Sequence, residues 1–116
     1  MYNKCITTAI PSGTAITPAI NVGDILPNMG LAILPGTWTA ASLGFKVSDV
    51  ENGTYVPLRS ATGDIVEITG IQTGAAAAYP LPSEIKGAQW IKFWSETAGS
   101  DANQAGARTI ILIGKG

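Results

Sequence analysis

This chain keeps few of the residues that do chemistry, and it scatters them. It has no histidine and one cysteine, Cys5. The commonest general base and the commonest zinc ligand are therefore missing together. One thiol cannot build a cysteine-rich zinc site. Eight carboxylates remain. Asp24, Asp49, Glu51, Asp64, Glu84, Glu96 and Asp101 fall in or beside predicted turns, where acids cap backbone N–H groups. Asp49 and Glu51 flank a hairpin tip and would count toward a calcium site, since hard cations want several oxygens. As turn caps they need no cation. Glu67 lies between Val66 and Ile68 and should face away from them, toward solvent. No glycine-rich loop opens a helix, so no phosphate cradle is expected. The reading is of a chain without catalysis, cofactor or bound metal.

Aromatic residues are more suggestive. In Gln89-Trp90-Ile91-Lys92-Phe93-Trp94-Ser95, strand alternation puts Ile91 and Phe93 on one face and Trp90, Lys92 and Trp94 on the other. Lysine is rarely buried whole, which turns its face outward. Two tryptophans beside a cation would then form a candidate partner interface. The same residues suit a stacking platform for sugars, or indoles packed under covering loops. Trp38, after Pro35-Gly36, reads as a core residue or a plug at the end of the fold.

Composition narrows the class. At 116 residues the chain suits one domain with one core. Charged residues are 13% of the chain and the net charge is −1, with cations placed singly. There is no basic stripe to follow phosphates, so no nucleic acid is expected as partner. No apolar run is long enough for a membrane span. The first residues lack the pattern of a secretion signal, and a lone cysteine fits assembly in a reducing cytoplasm.

The elements that must position these residues are strands. Leu43, Phe45 and Val47 alternate with Gly44 and Lys46, the period of a half-buried strand. Asn52-Gly53 and then Thr54-Tyr55-Val56 follow, a hairpin signal because both turn residues tolerate positive φ. Most of the fourteen glycines and seven prolines fall between the apolar runs rather than inside them, as in a sandwich or barrel. The spacing predicts strands at 4–10, 14–21, 31–34, 40–48, 54–58, 65–69, 88–95 and 107–113. The run 75–79 is too short for a helix despite its alanines, and 82–87 suits a single helical turn. Residues 96–106 read as a long loop, and residues 1–3 as a loose N-terminal arm. The fold expected is all-β: a single-domain antiparallel sandwich of jelly-roll type with about eight strands.

Four segments resemble a family of small β-sandwich proteins of tailed bacteriophages. Ile6 to Val22 (ITTAIPSGTAITPAINV) resembles the family's opening hairpin. Ala32-Ile33-Leu34-Pro35 with Trp38-Thr39-Ala40-Ala41 resembles its next segment. Leu43-Gly44-Phe45-Lys46-Val47-Ser48 with Gly53-Thr54-Tyr55 and Leu58 resembles its central hairpin. Ile85 to Ser95, with Asn103-Gln104 and Ala107-Arg108-Thr109-Ile110, resembles its closing strands. Trp94 departs from the pattern, standing where the family commonly has arginine. The resemblance implies a virion structural protein, made in the host cytoplasm and placed on the capsid surface. Its role would be that of a decoration or cement protein bound to the major capsid protein, working as a homo-oligomer with a trimer favoured. Alternatives are a carbohydrate-binding module on the virion and a tail or head–tail connector component. The late strand is also similar to galactose-binding-like sandwiches.

Overall fold

In a computed structural model of the protein, which describes residues 3–23 and 30–115, ten strands form two antiparallel sheets. They are β1 (Asn3–Ile10), β2 (Ile20–Asn21), β3 (Leu31–Leu34), β4 (Ser42–Ser48), β5 (Val56–Pro57), β6 (Glu67–Ile68), β7 (Ala77–Pro80), β8 (Trp90–Thr97), β9 (Ser100–Asp101) and β10 (Arg108–Lys115). One sheet runs β1-β10-β3-β7 and the other β2-β8-β4-β5, with β6 added to β4 and β9 to β8. Eight of the ten strands thus follow the jelly-roll order, in which the chain repeatedly crosses between two facing sheets. A 3-10 turn covers Ser83–Gly87.

Alternation builds the core. Ile10, Leu34, Leu43, Phe45, Ile91, Phe93, Ile110 and Leu112 point between the sheets and are almost fully buried. Phe45 and Phe93 are direct cross-strand partners, their rings tilted by 55° with centroids 5.7 Å apart. Full burial of each such side chain contributes about 1.5–3 kcal/mol. Trp38 is 2% exposed, belongs to this core and donates from Nε1 to the Ala41 carbonyl at 3.1 Å.

Three expectations need correction. The first two strands do not form a hairpin with one another: β1 pairs with β10, and β2 lies in the opposite sheet against β8. The stretch expected as a strand from residue 14 to 21 runs beside β8 but is regular only at Ile20–Asn21. Pro18 interrupts it, because proline has no N–H for a ladder. Thr17 repairs the gap: its Oγ1 accepts the Phe93 N–H at 3.0 Å and donates to the Pro18 carbonyl at 3.0 Å. The second correction concerns Asn52-Gly53. Strands β4 and β5 do pair as a hairpin, but residues 49–55 connect them, so this is no two-residue turn. Gly53 is needed for space instead. A Cβ there would collide with Ser48 Oγ and lie 2.8 Å from Val50 Cγ2.

The third is the presumed long loop. It opens with a tight turn between β8 and β9, where Thr97 pairs with Ser100. Ala98 and Gly99, both at positive φ (52° and 83°), supply the geometry that two-residue hairpins favour. Of the arm expected at residues 1–3, Asn3 already belongs to β1. Met1, Tyr2 and Asp24 lie outside the described residues.

Candidate partner-binding surfaces

The outer face of the β2-β8-β4-β5 sheet carries Trp90, Lys92 and Trp94. The register makes Ser48 the partner of Trp90, Lys46 of Lys92 and Gly44 of Trp94. All three predicted residues share one face, but they are not equally available. Trp90 and Lys92 are half-buried. Trp94 is 2% exposed, which corrects the expectation of two open indoles. Its ring lies over Gly44, where a Cβ would come within 3.1 Å of Trp94 Cε3. Its Nε1 donates to Asp101 Oδ1 at 2.7 Å. Above it, the Lys46 ammonium sits 4.6 Å from the ring centroid. A buried indole with its N–H satisfied and a cation on its face is chiefly a packing element.

Lys92 leans the other way. Its Nζ lies 4.5 Å from the centroid of Tyr55. Tyr55 in turn donates its hydroxyl to the Glu51 carbonyl at 2.7 Å. Partial burial, and then the nearby Glu51 charge, raise the Tyr55 pKa above the ordinary phenol value. Lys92, Tyr55, Glu51, Asn52, Gly53, Pro18 and Ala19 line a shallow groove of about 470 Å³. Stacking on two different rings holds the cross-strand lysines in separate places, which offsets the repulsion that like charges in register would otherwise feel.

One carboxylate on this face is unusual. Glu96 has no exposed surface. Its Oε1 accepts the Gly99 N–H at 3.0 Å. Oε2 is buried without a hydrogen-bond donor among the described residues. Gly44 makes room here too, since a Cβ would lie 3.1 Å from Glu96 Cγ. Burial pushes the Glu96 pKa above the ordinary glutamate value; the Gly99 N–H opposes this, and the neighbouring Glu67 carboxyl adds to it. Glu67 does turn away from buried Val66 and Ile68, yet it is half-buried beside Glu96 rather than open to solvent. Among the described residues no three His, Cys, Asp or Glu side chains gather as a metal would require.

The opposite outer face, on the β1-β10-β3-β7 sheet, differs in kind. Cys5, Ile113, Leu31 and Pro80 form one cross-strand row, and Thr7, Ile111, Ile33 and Ala78 the next. Ala9 and Thr109 pair beyond them. None of these ten residues is charged. Leu31 is 41% exposed, and Ile33, Ile111 and Ile113 are half-buried. Sequence reasoning missed this surface. Ile110, Ile111, Leu112 and Ile113 are all apolar, so alternation alone marks no outward row, and only the pairing with β1 and β3 shows which row faces out.

Gln104 was also missed. It is fully buried. Its Nε2 donates to the Thr39 carbonyl at 3.0 Å and to Ser95 Oγ at 2.9 Å. Its Oε1 accepts the Thr39 N–H at 2.7 Å and Arg108 Nε at 3.2 Å. The amide thereby ties the segment before β4 to β8 and β10. A lone glutamine in a polar stretch carries no signal of such a role.

No protein-family model matches the chain, and no curated protein matches it. Among solved structures, the crystal structure of the SPBc2 prophage-derived protein YomS is similar, with a TM-score of 0.52. The identity is 18%, and the likeness covers 98% of this chain and 95% of that one. The two share a fold from end to end.

Proposed function

We propose that the protein is a bacteriophage virion component that binds the outside of the head shell as a decoration or cement protein, in symmetric copies, with the major capsid protein as partner. The observation that carries this reading is the fold shared, over nearly the full length of both chains, with a prophage-derived protein. The four sequence segments that resemble small phage sandwich proteins support it. So does the surface chemistry: half-buried Trp90, Lys92 over Tyr55, and a second sheet face with an uncharged, partly apolar centre are features that protein partners use. Many weak contacts repeated on a symmetric shell add up to firm attachment.

Co-sedimentation of the purified protein with shells of the encoding phage that lack it tests the reading. Saturable binding, and shells that melt at higher temperature when coated, are the results expected. Binding to tails instead would favour the connector or tail alternative. The groove beside Tyr55, Lys92 and Asn52 offers a second reading, a carbohydrate module. A glycan array would favour it if binding there is lost on Tyr55→Ala while shells are not bound.

A further inference from the structure

We propose that Glu96 and Glu67 share one proton across β4, and that this proton latches β6 onto the outer face of its sheet. The register sets the pair up. Glu67 on β6 is the partner of Gly44, and Glu96 on β8 is the partner of Ser42, two residues earlier on β4. Both acids lie on the face that carries Trp94, with β4 running between them. At the crossing β4 has no side chain, and Glu96 takes the space. A Cβ on Gly44 would lie 3.1 Å from Glu96 Cγ and 3.4 Å from its Oε2. The Glu67 carboxyl is then within hydrogen-bonding reach of Glu96.

Two carboxylates cannot meet in this way without a donor. Oε1 of Glu96 already accepts the Gly99 N–H at 3.0 Å. Oε2 is buried with no donor among the described residues, and an unpaired buried charge is costly. The other charges on this face are committed elsewhere. Asp101, the register partner of Glu96 on β9, accepts the Trp94 N–H. Lys46 on β4 lies over Trp94, and Lys92 on β8 lies over Tyr55. A proton on either acid supplies the missing O–H donor, and two like charges in one site favour keeping it. Burial, and then the Glu67 carboxyl, raise the Glu96 pKa in the sense that sharing requires.

The response to losing that proton is local. A Cβ on Gly99 would lie 3.8 Å from Ile65 Cγ1. The β8–β9 turn and the residue before Val66 therefore close over Glu96 together. β6 meets β4 at two ladder positions, whereas β8 meets β4 at seven. When the proton leaves to water, two facing charges push on the least anchored element, and β6 yields while the β4–β8 ladder holds. The device is independent of what the protein binds.

The test is NMR of protein carrying 13C at the glutamate Cδ, from about pH 3 to about pH 9, with amide hydrogen exchange over the same range. Both the Glu67 and Glu96 signals should move in each of two steps, as in a coupled pair, the last above the ordinary glutamate range. Across that last step, exchange of residues 65–69 should speed several-fold relative to the β4 and β8 amides. In Glu67→Gln the amide can donate to Glu96 Oε2, so Glu96 should titrate in one step at lower pH and the local speeding should vanish. Glu96→Gln should likewise leave Glu67 with one step and exchange of 65–69 flat. A wild-type Glu96 signal that titrates in one step, with Glu67 silent, overturns the shared proton. So does a Glu96 titration unmoved by Glu67→Gln. Exchange of 65–69 that merely follows β4 and β8 overturns the latch.

Discussion

Gly44 and Trp94 face each other across the β4–β8 ladder, and the indole occupies the space that a side chain on Gly44 would take. Gly44 is thus defined by what lies over it and not by its backbone angles. Gly44→Ala should destabilise the protein by about 1–3 kcal/mol, as overpacking does. Trp94→Ala should cost about 3–5 kcal/mol through the cavity left behind. Chemical denaturation of both variants and of Gly44→Ala/Trp94→Phe checks this. The smaller ring should make the alanine less costly, so additive effects would count against the contact.

Trp90 and Lys92 should behave differently. Each is half-buried on the same face. Trp90→Ala or Lys92→Ala should change folding stability by no more than about 1 kcal/mol. In a shell co-sedimentation assay, Trp90→Ala should weaken attachment by about 2 kcal/mol, roughly thirtyfold. Unchanged attachment of both variants, with intact folding, would move the contact to another surface.

Glu96 makes stability depend on pH with an unusual sign. Its folded pKa is raised above the ordinary glutamate value, first by burial and then by Glu67, against the Gly99 N–H. Between the unfolded value and the raised folded one, the native state holds more protons than the unfolded state, so stability falls as pH rises. Below that window the carboxyl is protonated in both states and the penalty vanishes. Melting temperature should therefore decline as pH climbs from the ordinary glutamate range through the folded pKa. Glu96→Gln should flatten this decline and melt higher at neutral pH, because the amide keeps the Gly99 contact and carries no charge.

Gln104→Ala should cost about 3 kcal/mol or more. It strips partners from the Thr39 N–H and carbonyl at once, and buried groups left unpaired are expensive. Gln104→Glu should be no milder, since a carboxylate cannot donate to the Thr39 carbonyl. Urea unfolding of both variants decides it, and wild-type stability in either would remove Gln104 from its central place.

What the sequence made legible was local. Leu31–Leu34 and the Ser42–Ser48 alternation were readable because apolar spacing alone sets which side of a strand is buried. The jelly-roll class followed from many short strands and their punctuation. Partnerships were harder. Whether the strand after Ser12-Gly13 returns beside β1 or crosses to β8 depends on pairings with residues far along the chain, such as Ile20 with Ile91, which no local pattern encodes. The tryptophan face was partly legible: alternation grouped Trp90, Lys92 and Trp94 correctly, and the lysine rule pointed the group outward. It failed for Trp94 because a glycine on the next strand opened a slot there, and because Lys46, from that strand, covers the ring.

The pairing of Asn3 with Lys115 brings the two ends of the described chain to one corner. A short linker joining them there would close the polypeptide into a ring without disturbing any ladder. The chain could then be opened at the exposed Thr62-Gly63 turn, far along the sequence from both Asn3 and Lys115. A peptide or enzyme joined directly before Asn3, and another directly after Lys115, would leave from the same corner. Two cargoes attached at Asn3 and Lys115 would therefore be held as neighbours rather than on opposite sides of the molecule.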